Sequence, residues 1–220
     1  MKKKVLVKGP ALSRSGYGEQ CRFAIRALRS QPERFEVYIL NTPWGKTGQI
    51  NMQTEDYQWI SQRIHQTDAF AKAGGSYDIA IQVTIPNEFK RMAPVTIGYT
   101  AGIETTKVAP VWLQKANAET DKVIVVSNHS KKVFQNTFYS LTQKDGTPAG
   151  QLTLDVPIET VNYPVLQHEE VPVEIDLSTE NNFLAVAQWG NRKNLDNTIK
   201  KMAKDISDKY IDPPNTTDFG

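Results

Sequence analysis

The chain has a single cysteine among its 220 residues, and no long apolar run. A lone Cys21 excludes an internal disulfide and a cysteine-rich zinc site, a usage that suits a reducing compartment. The apolar stretch Val5-Leu6-Val7 follows three lysines but stops at Lys8, too short for the core of a signal peptide. Nothing approaches the roughly 20 apolar residues of a membrane-spanning helix, so a soluble cytoplasmic protein without a transmembrane segment is expected. Charge of one sign is also lacking. Lys and Arg number 26 against 24 Asp and Glu, a net charge of +2, which provides no field to draw nucleic acid or an anionic membrane. Anion binding must therefore be local. Neither His65 nor His168 has a second ligand at metal spacing, so no protein-held metal is expected.

What the sequence does contain is alternation. Short runs rich in β-branched residues, at 5–7, 35–40, 78–83, 95–99 and 122–126, are separated by amphipathic stretches at 18–30, 55–71, 110–119 and 127–138. Compact apolar strands alternating with helices predict an α/β class: a Rossmann-like, mostly parallel sheet flanked by helices. Gly74-Gly75 is placed to end the second helix and Ser127 to cap the fourth. Lys144-Asp145-Gly146-Thr147-Pro148 reads as a turn, and residues 151–166 as extended chain. Residues 167–181, acidic and proline-bearing, read as a linker after a first domain at 1–166. A further strand at 182–187 and helix at 194–206 open a second segment, 182–220, too small for a core of its own, with a disordered tail from Asp208.

In open parallel sheets ligands bind outside the carboxyl ends of the strands, and the turn-forming and chemically distinctive residues fall there. Ser15-Gly16-Tyr17-Gly18 follows the first strand, Pro43-Trp44-Gly45 the second and Pro86-Asn87-Glu88 the third. Thr100 to Thr106 follows the fourth and Ser127-Asn128-His129-Ser130 the fifth. Residues 13–18, running into a helix, have the composition of an amide nest or of a permissive helix start. A dinucleotide fingerprint is not complete, because Cys21 stands where a third glycine belongs and the second strand ends at Asn41 instead of an acid. Glu104 lies among Thr100, Thr105 and Thr106, as a sugar-binding or cleft carboxylate would. His129, in the first turn of a helix, suits hydrogen bonding better than a charged role. Trp44 and Trp189, in loops at strand ends, are candidate stacking platforms, whereas Trp59, Trp112 and Phe134 sit at packing positions.

Five stretches together resemble retaining GT-B glycosyltransferases of the group 1, or family 4, type. They are Ser15-Gly16-Tyr17-Gly18-Glu19, residues 85–89, residues 98–106, residues 125–131 and residues 186–194, and the likeness covers roughly residues 4–205. The third and fifth are the most specific. The resemblance implies an acceptor-side domain followed by the start of a donor-side domain. It implies transfer of a sugar from a nucleotide-sugar substrate to a glycan or other hydroxyl acceptor with retention, without a further cofactor. On that basis Gly16, Tyr17, Gly18, Asn87, Thr100, Glu104, Thr105 and Asn128 are expected at the substrate cleft, with Glu104 as the candidate catalytic group. Arg192 and Lys193 are expected on the donor pyrophosphate, where a guanidinium fork and an ammonium both suit phosphate oxygens. The later acidic motif of that family has no counterpart before residue 205. The chain alone is therefore expected to be weakly active or inactive unless a protein partner or homo-oligomer completes it. The alternatives are a non-catalytic glycan- or partner-binding module and one half of a split enzyme.

Overall fold

The computed structural model describes residues 2–167, 169–172, 174–176, 182, 184–187, 191 and 193–210, with side chains to 204. Two units are distinguished, Met1–Gln167 and His168–Gly220.

The first unit is an α/β, Rossmann-like layer structure. Strands β1 (Lys3–Gly9), β2 (Phe35–Asn41), β3 (Ile79–Val83), β4 (Val95–Tyr99) and β5 (Lys122–Val125) are joined by helices α1 (Gly16–Arg29), α2 (Glu55–Lys72), α3 (Pro110–Glu119) and α4 (Asn128–Asn136). A hairpin of β6 (Tyr139–Thr142) and β7 (Pro148–Leu152) then leads to β8 (Ile158–Thr160). The main sheet has the order β2-β1-β3-β4-β5-β8, and every neighbouring pair is parallel. The order reverses at β1, whose neighbours are β2 and β3, so the crevice expected of a doubly wound sheet opens between the loops after β1 and β3.

Alternation along β1 sends its side chains to two cores. Val7 joins Ile25, Ile39, Ile60 and Val83, while Leu6 joins Tyr38 and Ala80. A third cluster, built on Leu113, Val123, Val125 and Phe134, seats α3 and α4 on β5. Cys21 belongs to the first core, and burial pushes its thiol up to about 12, so it packs and stays protonated. The open flank of β2 is covered by α2. The Ile39 amide, which a sheet partner would otherwise satisfy, donates to Thr67 Oγ1 at 2.7 Å, and Thr67 in turn donates to the Arg63 carbonyl. A covered edge does not offer itself to another strand.

Three local expectations change. Helix α4 stops at Asn136 instead of 138, and β6 follows almost at once. The anticipated turn is the tip of this hairpin: Gly146 adopts φ +86, and Asp145 Oδ1 accepts from both the amide and the hydroxyl of Thr147. The sequence Tyr-Ser-Leu-Thr alternates, but four residues are too few to announce a strand. In the second unit, the described residues of the expected strand, 182 and 184–187, carry no strand. The helix there, α5 (Leu195–Tyr210), runs past Asp208, where a disordered tail was expected. Asn194 precedes it at φ +50, a conformation asparagine tolerates.

Candidate functional site

The carboxyl ends of β1 to β5 form one rim, and α1 and α4 begin on it. Each of these helices is capped by a serine. Ser15 Oγ accepts from the Gly18 amide at 3.0 Å, and Ser127 Oγ accepts from the Ser130 amide at 3.1 Å. The first intrahelical bond of α1 runs from Glu19 N to Ser15 O. The amides of Gly16 and Tyr17 therefore precede the helical ladder, where helix donors lack internal partners.

The loop after β1 is held by a buried guanidinium. Arg22 Nη1 donates to the carbonyls of Ala11 and Ser13 at 2.8 and 2.9 Å, and its other nitrogens donate to Glu19. Although partial burial works against ionisation, hydrogen bonds from Arg22 and Arg26 hold the Glu19 carboxyl below its usual range. Glu19 is thus spent on the loop. Gly18 sits so close under this loop that a Cβ would collide with the Ser13 carbonyl, whereas a Cβ on Gly16 would meet nothing within 4 Å. Of the two glycines, Gly16 is exposed and Gly18 is buried.

The loops after β1 and β2 are laced together. Arg14 N donates to Gly48 O, Ile50 N to Leu12 O, and Leu12 N to Asn41 Oδ1. Between them the hydroxyls of Ser13, Ser15 and Thr47 form a cluster with separations of 2.9 and 2.6 Å. Residues 12, 13, 41–45, 47 and 49 line a small cavity of about 120 Å³ there.

Tyr17 ties these loops to β4. Its ring packs against Trp44 with centroids 4.2 Å apart, and its hydroxyl lies 3.1 Å from Thr100 Oγ1 while accepting from the Ala101 amide at 3.3 Å. Burial raises the Tyr17 phenol above its ordinary value, and its bonds to Thr100 and Ala101 only partly offset this. It remains neutral at physiological pH. Thr100 is fully buried, so it positions Tyr17 and the β4 loop without facing the cleft. Behind Tyr17, the hydroxyl of Tyr163, just after β8, donates to Gln20 Oε1 at 3.0 Å. Burial, with the nearby Tyr99 and Tyr17 phenols, pushes Tyr163 up to about 12. Gln20 Nε2 is buried without a partner among the described residues.

The remaining rim residues lie on separate loops. After β3, Thr84 donates to the Glu88 carboxylate, and Asn87 beside it is exposed on a single 3-10 turn, residues 86–88. The Glu88 charge reaches the Tyr17 hydroxyl, which places this turn next to the Tyr17 corner. After β4, the Ile103 amide donates to Ser130 Oγ of α4, and Gly102, Glu104, Thr105, Lys107 and Trp112 help line a cavity of about 330 Å³. The Thr105 hydroxyl donates to the Lys107 carbonyl of its own loop. Asn128 and His129 are exposed in the first turn of α4.

Of the residues singled out from the sequence, the structure bonds Tyr17 to Thr100, with Gly16 and Gly18 on either side of Tyr17 in the chain, and sets Glu104 and Thr105 in one cavity. Asn87 and Asn128 are exposed beside these loops without a direct link to either. Arg192 and Trp189 lie outside the described residues, and Lys193 is exposed in the turn before α5. Sequence reasoning missed Gln20, Tyr163 and the Ser130 bond to the β4 loop. A polar Gln20 beside the apolar positions of α1 was the one visible signal, since the other links depend on tertiary pairing. No group of three or more His, Cys, Asp or Glu residues close enough to hold a metal occurs among the described residues. No helix among them is long and apolar enough to cross a membrane.

Comparison of the chain with protein-family models, with curated proteins and with solved structures finds no match.

Proposed function

We propose that the first unit is the acceptor-side domain of a glycosyltransferase that moves a sugar from a nucleotide-sugar to a hydroxyl acceptor with retention. The observation that supports this most is the Tyr17 corner. A neutral phenol, an adjoining tryptophan ring and two first-turn amides of α1 meet at the strand-order reversal of a parallel sheet, where such sheets bind ligands. The neighbouring cavity adds a carboxylate, Glu104, an ammonium, Lys107, and an indole, Trp112. A sugar ring needs the same mixture: an apolar face to cover and hydroxyls to be met by neutral and charged partners.

In this reading Tyr17 and Trp44 orient the acceptor, and Glu104 accepts from an acceptor or donor hydroxyl. Arg192 and Lys193 take the donor pyrophosphate. The chemistry relies on positioning and on stabilising the charge of the leaving phosphate. Calorimetric titration of the purified chain with a panel of nucleotide-sugars, followed by product analysis with simple glycoside acceptors, tests it. Saturable donor binding is expected, with at most weak transfer by the chain alone, and that transfer falls in Glu104→Gln. Binding of glycans without any nucleotide-sugar affinity would replace the enzyme by a glycan-binding module.

A further inference from the structure

A further cavity of the first unit lies away from this rim, at the amino ends of β1 and β2. It has a volume of about 590 Å³ and is lined by Lys2, Arg29, Pro32, Phe35, Glu36, Val37, Trp59 and Arg63. The volume is within the range of small-molecule sites. Three of these residues are cations and one is an acid. Glu36 is already engaged, since its carboxylate accepts from the Tyr38 hydroxyl at 3.0 Å.

The guanidiniums of Arg29 and Arg63 both lie over the Trp59 ring, 4.8 and 5.1 Å from its centroid. Stacking on an indole fixes the plane of a guanidinium, so its N–H groups are aimed in advance. Arg29 is partly neutralised by Glu55 at 2.7 Å and Asp56 at 3.5 Å. Arg63 differs. Its Nη1 donates to the neutral Gln66 amide, and its Nε is buried with no partner among the described residues. A buried charged donor without an acceptor is costly unless a ligand or water completes it. Lys2, exposed on the cavity wall, adds a further positive charge with no ion pair among the described residues. The missing component is an anion with several acceptor oxygens, and a phosphate group suits a fixed guanidinium edge beside an ammonium.

We propose that this cavity binds the phosphate group of a small phosphate monoester, with Arg63 as its principal donor, Lys2 and Arg29 as flanking charges, and Phe35 and Trp59 along its organic part. The site is independent of the sugar-transfer reading, because it shares no residue with the rim.

The test is titration of the full chain with inorganic phosphate and with phenyl phosphate at low ionic strength, read by calorimetry and by tryptophan fluorescence. Saturable binding of both is expected, tighter for phenyl phosphate, and weakened about tenfold or more by Arg63→Gln through loss of charge-assisted hydrogen bonds. Lys2→Gln, at an exposed position outside the strands, keeps the test open if Arg63→Gln fails to fold. It is expected to lower affinity about two- to fivefold and to reduce its dependence on salt. Absence of saturation with either probe, or unchanged affinity in both variants, would overturn the proposal. Equal affinity for the two probes would overturn the assignment of Phe35 and Trp59 to an organic part.

Discussion

The hydroxyl of Tyr17, in the first turn of α1, stands 3.1 Å from Thr100 Oγ1 at the end of β4 and also accepts from the Ala101 amide. Tyr17→Phe removes the oxygen and keeps the ring against Trp44. The expected loss of stability is about 1 kcal/mol, the usual net value of a hydrogen bond, with a further penalty for the buried Thr100 hydroxyl if water does not replace it. Chemical denaturation measures this. A larger fall in acceptor affinity than in stability would locate the hydroxyl at the ligand, whereas parallel changes would restrict it to holding the β4 loop.

The same phenol can be followed directly. Burial raises its ionisation above the ordinary value of 10.0, so the neutral form is favoured in the folded chain. Its contribution to stability is fully present below 10.0 and is lost as pH rises through the raised folded value. Ultraviolet titration should therefore show a late-ionising tyrosine that disappears in Tyr17→Phe. Tyr38 and Tyr163, both pushed up to about 12, and Tyr77 and Tyr99, also raised by burial, should remain late, so the change is read as the difference between the two titration curves.

Gly16 and Gly18 separate conformational freedom from steric necessity. Gly18→Ala drives a Cβ into the Ser13 carbonyl, which is backbone and cannot swing aside. A loss of roughly 2–4 kcal/mol is expected, at the upper end of overpacking effects. Gly16→Ala meets open space at the start of a helix, so a change within about 0.5 kcal/mol in either direction is expected. Melting of the two variants side by side decides the point. A Gly18→Ala protein as stable as the parent would show that the β1 loop is free to move away from α1.

The architecture was readable because each strand is a short β-branched run. Val5-Leu6-Val7 buries Leu6 on one face and Val7 on the other, and that two-sided burial is what makes its hydrophobicity continuous rather than alternating. The rim was readable for a related reason: turns and caps demand Gly, Ser and Asn at strand ends, so Ser15 and Ser127 announced themselves. What joins the loops was not readable. Nothing local in Tyr17 indicates Thr100, and nothing in Tyr163 indicates Gln20, because these bonds exist only once β4 and β8 take their places in the sheet. Gly18 looked like a ligand-approach glycine but is buried against its own loop. The hairpin β6–β7 escaped notice because its first strand has only four residues and is largely exposed, so its alternation is too short to stand out.

Arg192 and Lys193 offer a test that does not involve the rim. If the two hold the donor pyrophosphate as proposed, replacing both by alanine should lower donor affinity about tenfold to a hundredfold. Folding of the first unit should be unaffected, because neither residue belongs to it. Isothermal titration with the nucleotide-sugar that binds the parent chain best provides the comparison. Equal affinities would remove both residues from the donor site.

Glu19 links acid sensitivity to the loop beneath the candidate site. Its carboxylate accepts from Arg22 at 2.6 Å and from Arg26 at 3.0 Å, and Arg26 continues to Asp56 on α2 at 2.6 Å. Those bonds hold its carboxyl below the ordinary 4.5 despite partial burial. A depressed carboxyl contributes stability that is present above the unfolded value and is lost as pH falls through the lower folded value. Glu19→Gln should therefore cost about 1–2 kcal/mol near neutrality, where Arg22 loses its charged partner but keeps the Ala11 and Ser13 carbonyls. Below the ordinary carboxyl range the difference from the parent should shrink toward zero, because the parent becomes protonated at the same position. Urea denaturation at a series of pH values from neutral to acid measures the two curves. A gap that stays constant down to the acid limit would show that the carboxylate's charge is not what holds the β1 loop to α1.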